Sequence, residues 1–175
     1  MPALYLLDTN TLSNLIRQPQ GRVAERIARV GEANVLTSVV VACELRYGAA
    51  KRGSRRLTRQ VEAVLGALTV RSLESDVERI YAAIRVALEK KGTPIGAHDM
   101  LIAAHARAID AVCVTDNLAE FKRVPAVKVE NWVRLAGARR AAPVGSNSRL
   151  GPRNHALGIN ALEVVDLTGI EPVTS

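Results

Sequence analysis

ALYLLDTNTLSNLIR, residues 3–17, carries the transition on which the fold turns. Its first five residues are an apolar run that reads as a buried strand, and the run stops at Asp8. Leu12, Leu15 and Ile16 then recur at helical spacing, so the chain passes from strand to helix across a single carboxylate. Pro19 and Gly21 interrupt that helix, and Val23, Ile27 and Val30 continue as a second one that Gly31 closes.

The same alternation repeats outward. Residues 34–37 read as a strand, Ser38 as the cap of a helix that carries Glu44 and runs to about residue 50, and residues 54–67 as another amphipathic helix. Residues 68–73 predict a third strand and Ser75 the start of a long helix ending at Lys91-Gly92. After a loop at 92–96, residues 97–108 predict a very apolar helix, 111–115 a strand ending at Asp116, 118–121 a short helix and 126–129 a last strand. Strands alternating with helices predict an α/β architecture with a mostly parallel sheet.

The length of 175 residues is one domain's worth, and 48% hydrophobic content is enough for a core. Aromatics are only 3%, which excludes a base-stacking aromatic platform. Beyond Ala136 the chain turns rich in Gly, Pro, Ser, Asn and Arg, so a domain over 1–136 with a partly disordered extension over 137–175 is expected. The extension holds four Arg and three acids, and the first 136 residues therefore keep +6 of the net charge of +7. Such a balance favours a polyanionic partner, with plain solubility as the bland explanation.

Cys43 and Cys113 lie in the apolar runs VVVACEL and DAVCVTD and are expected to be buried thiols rather than a disulfide or a zinc site. Asp8 interrupts the first apolar run too early for a secretion signal, and the stretch at 35–43 is too short and too polar to span a bilayer, so a cytoplasmic location is expected.

Four acids stand out. Asp8 and Asp116 each follow a predicted strand, the edge at which open α/β sheets bind ligands. Either could simply cap a helix. Asp99 opens the apolar helix in IGAHDMLIAAHA, where the backbone dipole favours a carboxylate. Glu44 sits within an apolar helix, where an isolated carboxylate is costly unless it faces water or pairs with Arg46, Lys51 or Arg52. Together they suggest a different role. Carboxylates gathered at one point repel one another, and a hard divalent cation relieves that repulsion and suits phosphodiester hydrolysis.

At these residues the chain resembles the PIN-domain nucleases, and among them the VapC-type toxins. The matching blocks are LLDTNTLSNLI, TSVVVACELRYGA, GTPIGAHDMLIAAHA and VTDNLAEF, in register over about residues 3–133. The resemblance implies a three-layer α/β/α fold with a five-stranded, mostly parallel sheet. It implies that Asp8, Glu44, Asp99 and Asp116 hold Mg²⁺ or Mn²⁺, with Asn10 and Thr115 hydrogen-bonded to them and Glu120 near the metal. It further implies endonucleolytic cleavage of RNA such as tRNA, a homodimer, and a small antitoxin that covers the acidic pocket, in a heterotetramer or larger complex. Arg17, Arg46, Lys51 and Arg52 are candidates to hold the RNA backbone, each equally readable as an ordinary solvated charge. His98 and His105 share the helix of Asp99; His98 could approach the pocket, though a surface position is expected. Trp132 is expected to pack the end of the last strand.

Two other readings stay open at this point. An Asp-nucleophile phosphatase would use Asp8, although such enzymes want a second Asp two positions later, where Asn10 stands. A non-catalytic module could bind nucleic acid or a repressor partner with the acids merely structural.

Overall fold

The computed structural model describes residues 3–74 and 76–134. Its first unit is β1 (Tyr5–Leu7), α1 (Thr9–Arg17) and α2 (Arg22–Val30), followed by a 3₁₀ turn at Glu32–Asn34. The next is β2 (Val35–Ser38), α3 (Val39–Arg52) and α4 (Arg55–Ala67), then β3 (Thr69–Arg71), α5 (Val77–Lys90) and α6 (Ala97–Ala108). The last is β4 (Val112–Val114), α7 (Leu118–Phe121) and β5 (Val129–Glu130). The five strands pair in the order β3-β2-β1-β4-β5, and every pairing is parallel.

Successive strand residues point to opposite faces, so two buried neighbours mean that both faces are covered. Leu6 and Leu7 of β1 are both fully buried, as are Cys113 and Val114 of β4. The sheet is therefore the middle of three layers, with helices on either side. The apolar content is mostly aliphatic, and α6 contributes Ile102, Ala103, Ala104 and Ala106 to the interior. The three alanines among them are small, and α6 packs extensively against α5.

Helix boundaries follow local chemistry. Ser38 and Ser54 accept from backbone N–H groups of Val40 and Leu57 and so cap α3 and α4. Gly53 ends α3 in the left-handed region at φ 62°, a conformation that glycine adopts at no steric cost. The expected strands at 3–7, 68–73 and 126–129 are shorter or displaced, because pairing needs a neighbour as well as apolar residues. β5 in particular moves to Val129–Glu130, where it lies beside Cys113 and Val114. Ser75 lies outside the described residues, as does the extension expected at 137–175; α5 is preceded by Asp76 at φ 77°.

One expectation is corrected. Cys113 is buried, but Cys43 is exposed. The buried side of α3 runs through Val41, Ala42, Leu45 and Ala49, and Cys43 falls on the outward side despite its apolar neighbours. Among the described residues no helix is long and apolar enough to cross a membrane.

Candidate active site

The strand order reverses direction at β1. From β1 the chain steps to β2 on one side, and later returns to place β4 on the other. Helices leaving such a point diverge and open a crevice at the carboxyl ends of the strands. Asp8 and Asp116 stand there, just beyond β1 and β4.

Side-chain and backbone bonds stitch this edge together. Asp8 N–H donates to the Val114 carbonyl at 3.0 Å, and the Thr11 hydroxyl donates to the same oxygen at 2.9 Å. The Thr37 hydroxyl donates to the Leu7 carbonyl at 2.8 Å and secures β2 against β1. Asp8 is itself the N-cap of α1, its Oδ1 accepting from Thr11 N–H at 2.7 Å. The cap explanation is therefore true, and it leaves the second carboxylate oxygen for other work.

Asp8 is only 2% exposed, and burial pushes its pKa up to about 6 against the opposing hydrogen bonds from Thr115 and Thr11. The charge of Asp116 adds to the rise. Asp99, in the first turn of α6, is also pushed up to about 6, by burial first and then by the negative charges of Asp8, Glu120 and Glu44. His98 acts the other way. The two aspartates thus register each of the other acids: Asp99 feels Asp8, Glu44 and Glu120, and Asp8 feels Asp116. Five carboxylates from positions 8 to 120 share one field.

Glu44 takes two hydrogen bonds, from the Thr9 hydroxyl and from His98 Nδ1 at 2.8 Å. Its partners are not the basic residues of its own helix. Arg46 is engaged with Glu62 through two bonds of 2.8 Å, and Lys51 lies 5.8 Å from the centre of the Tyr47 ring. Arg17 ends α1 and Arg52 ends α3. Among the described residues, neither Arg46 nor Lys51 is bonded to Asp8, Glu44, Asp99 or Asp116.

Asp116 is held from outside the crevice. Arg134 grips it with Nε at 2.7 Å and Nη2 at 2.8 Å, and Asn131 donates to it at 2.9 Å. Thr115 meets Asp8 and also accepts from Asn117 N–H at 2.9 Å. Asn10 is exposed and makes no hydrogen bond to the acids among the described residues; Thr9 and Thr11, one position to either side, do. A helix that starts at residue 9 turns residue 10 away from the crevice.

Hard carboxylate oxygens are a donor set suited to Mg²⁺ or Mn²⁺. As they stand, no three His, Cys, Asp or Glu side chains among the described residues approach closely enough to share an ion. Two of these acids are already engaged: the Arg134 guanidinium pairs with Asp116, and the His98 ring hydrogen-bonds Glu44. An incoming divalent cation would have to compete with Arg134 for Asp116.

Thr9, Thr11, Asn131 and Arg134 were missed from the sequence. The two threonines follow Asp8 within one helical turn, which is a readable signal. Arg134 is 18 residues from Asp116, and no local pattern joins them.

The sequence and the fold both match known proteins. The PIN domain family matches residues 5–127. The tRNA(fMet)-specific endonuclease VapC of Salmonella typhimurium is 34% identical over 129 residues, 73% of this chain and 97% of that protein. Ribonuclease VapC2 of Rickettsia felis is 33% identical over 131 residues, covering 74% and 98%. Among solved structures, DNA-bound VapBC from Salmonella typhimurium superposes with a TM-score of 0.68 at 34% identity over 74% of this chain and 98% of that one. VapBC2 from Rickettsia felis, bound to a fragment of its promoter, gives 0.66 at 32% identity over the same shares.

Proposed function

Because the chain belongs to the PIN domain family, and within it to the VapC ribonucleases, we propose that its acidic crevice hydrolyses RNA phosphodiester bonds with Mg²⁺ or Mn²⁺. The observation that carries this reading is the placing of Asp8 and Asp116 at the carboxyl edge of β1 and β4, with Asp99 and Glu44 close enough for their charges to act on one another.

Asp8, Asp99 and Asp116 would hold the ion, with Glu44 completing the set directly or through water and Glu120 adding negative charge. When bound, the ion supplies polarisation of the phosphate and a lowered pKa for the attacking water. Glu44, fixed by Thr9 and His98, is positioned to accept a proton from that water. Attack at phosphorus runs in line, and the ribose 3′ oxygen leaves. Thr11 and Thr115 keep Asp8 oriented. The rival use of Asp8 as a phosphoryl-accepting nucleophile is disfavoured because Asn10 stands where such enzymes place a second Asp.

In this reading the chain is the toxin of a toxin–antitoxin pair, with residues 1–136 as the catalytic domain and 137–175 as an extension. A tRNA is the favoured substrate, since a relative is named for initiator tRNA. A small antitoxin is the favoured partner, in a complex built on a homodimer, since the related structures are VapBC complexes. The test is to map new RNA 5′ ends in cells after induced expression, with Asp8→Asn as control. Discrete ends in tRNA that vanish with Asp8→Asn are expected. Identical ends in both strains would refute the catalytic assignment, and binding without any cleavage would favour the non-catalytic module.

A further inference from the structure

We infer that the cleft between α2 and the end of β5 is the track by which the RNA backbone reaches the acidic site. The inference rests on the nuclease reading above and adds where the substrate lies. The cleft encloses about 420 Å³. Arg22, Arg26 and Arg29 line it from one side, at helix positions i, i+4 and i+7, which fall on a single face. Asn131, Trp132 and Arg134 line it from the other. Against these four arginines stand two acids, Glu25 and Glu130.

The arginines differ in what they do. Arg26 is anchored: it lies 5.7 Å from the centre of the Trp132 ring and pairs with Glu130 at 3.3 Å. Arg22 and Arg29 are exposed and form no ion pair among the described residues. Their guanidinium groups are planar forks that match phosphate oxygens. Trp132 is only 5% exposed, and its Nε1 is committed to Glu130 at 2.8 Å, so it cannot stack a base. The cleft therefore suits a phosphate backbone and does not read sequence.

Continuity with the acids separates this stripe from an ordinary solvated face. Asn131 and Arg134 belong to the wall of the cleft and also hydrogen-bond Asp116. A phosphate displacing Arg134 would sit beside the carboxylate that the hydrolysis needs. The other basic cleft, lined by Arg55 and Arg59 with Ala49 and Thr58, has no lining residue bonded to an acid of the site among the described contacts.

The test uses the full chain carrying Asp8→Asn, so that RNA is bound and not cut, and measures affinity for a labelled total tRNA pool across a salt series in EDTA. Arg22→Gln with Arg29→Gln should weaken binding about tenfold at moderate salt and flatten the log–log salt dependence by about 1.4, at about 0.7 per lost phosphate contact. Lysine at both positions keeps the charge and should restore most of the affinity. Arg55→Gln with Arg59→Gln, an equal loss of charge, should stay within about twofold of the parent. Equal weakening by the two glutamine pairs, or none by either, would overturn the track while leaving the nuclease reading intact. Unchanged RNA binding with loss of a small acidic protein partner would reassign the cleft to protein docking. A parent chain that binds no RNA, with no cleavage by its Asp8 counterpart, would remove the nuclease reading itself.

Discussion

At neutral pH, ionised Asp8 costs the fold on the order of 3 kcal/mol, because its pKa of about 6 stands above the ordinary 3.8. Between those two values the folded chain binds a proton that the unfolded chain has released. Stability contributed by Asp8 is thus fully present below about pH 4 and is lost as pH rises through 6. Asp99 follows the same direction, with a smaller cost because it is partly exposed to solvent. Asn can still cap α1 through its carbonyl. In EDTA above pH 7, Asp8→Asn should therefore melt several degrees higher than the wild type. The gap should close near pH 4. A thermal-melt series against pH checks both parts, and an Asp8→Asn chain that melts lower at pH 7 would contradict the assignment of cost. At Glu44 the expected effect is on rate: Glu44→Gln should slow RNA cleavage at least about a hundredfold, with the melting temperature little changed. A variant that cleaves within a fewfold of wild type would exclude a proton-accepting role for Glu44.

Between elements, one buried pair joins the two helices that carry Glu44 and Asp99. His105 of α6 meets the hydroxyl of Ser38, the cap of α3, at 2.9 Å across 67 residues of sequence. Its Nε2 has no partner among the described residues, and burial holds the ring below its ordinary pKa of 6.5. An unfolded histidine takes up a proton that the folded one refuses, so stability from His105 is kept above about pH 6.5 and lost as pH falls below it. This slope opposes that of Asp8. His105→Ala should cost about 2–3 kcal/mol from the cavity and the lost bond. It should also remove the decline in stability just below pH 6.5. Urea unfolding at pH 7.5 and 5.5 measures both effects. The same scale shows what could be read in advance. α1, α2, α6 and α7 were legible to the residue, because apolar spacing, Pro19, Gly21 and Gly96 bound them locally. Strand ends were not, since β5 is set by the residues that β4 presents to it. Asp8, Asp99 and Asp116 were legible because they stand at strand or helix ends. Arg134, Asn131 and the exposure of Cys43 depend on packing between distant segments, which no spacing encodes.

For the whole molecule, the sheet order places like charges at the one edge where helices diverge, and Thr bonds to Asp8 and the Arg134 pair with Asp116 offset part of the cost. On the proposed function, that arrangement would make the native state a receptor for a cation and would couple cation binding to proton release. A ligand that binds only the folded chain raises its stability by RT ln(1 + [L]/Kd). The most direct measurement is the melting temperature of the full chain at pH 7.5 with Mn²⁺ raised to roughly the millimolar range expected of weak carboxylate sites. The wild type should melt several degrees higher with Mn²⁺, while the chain with Asp8→Asn and Asp99→Asn should not respond. Equal rises in both chains would mean that these carboxylates do not form a metal site.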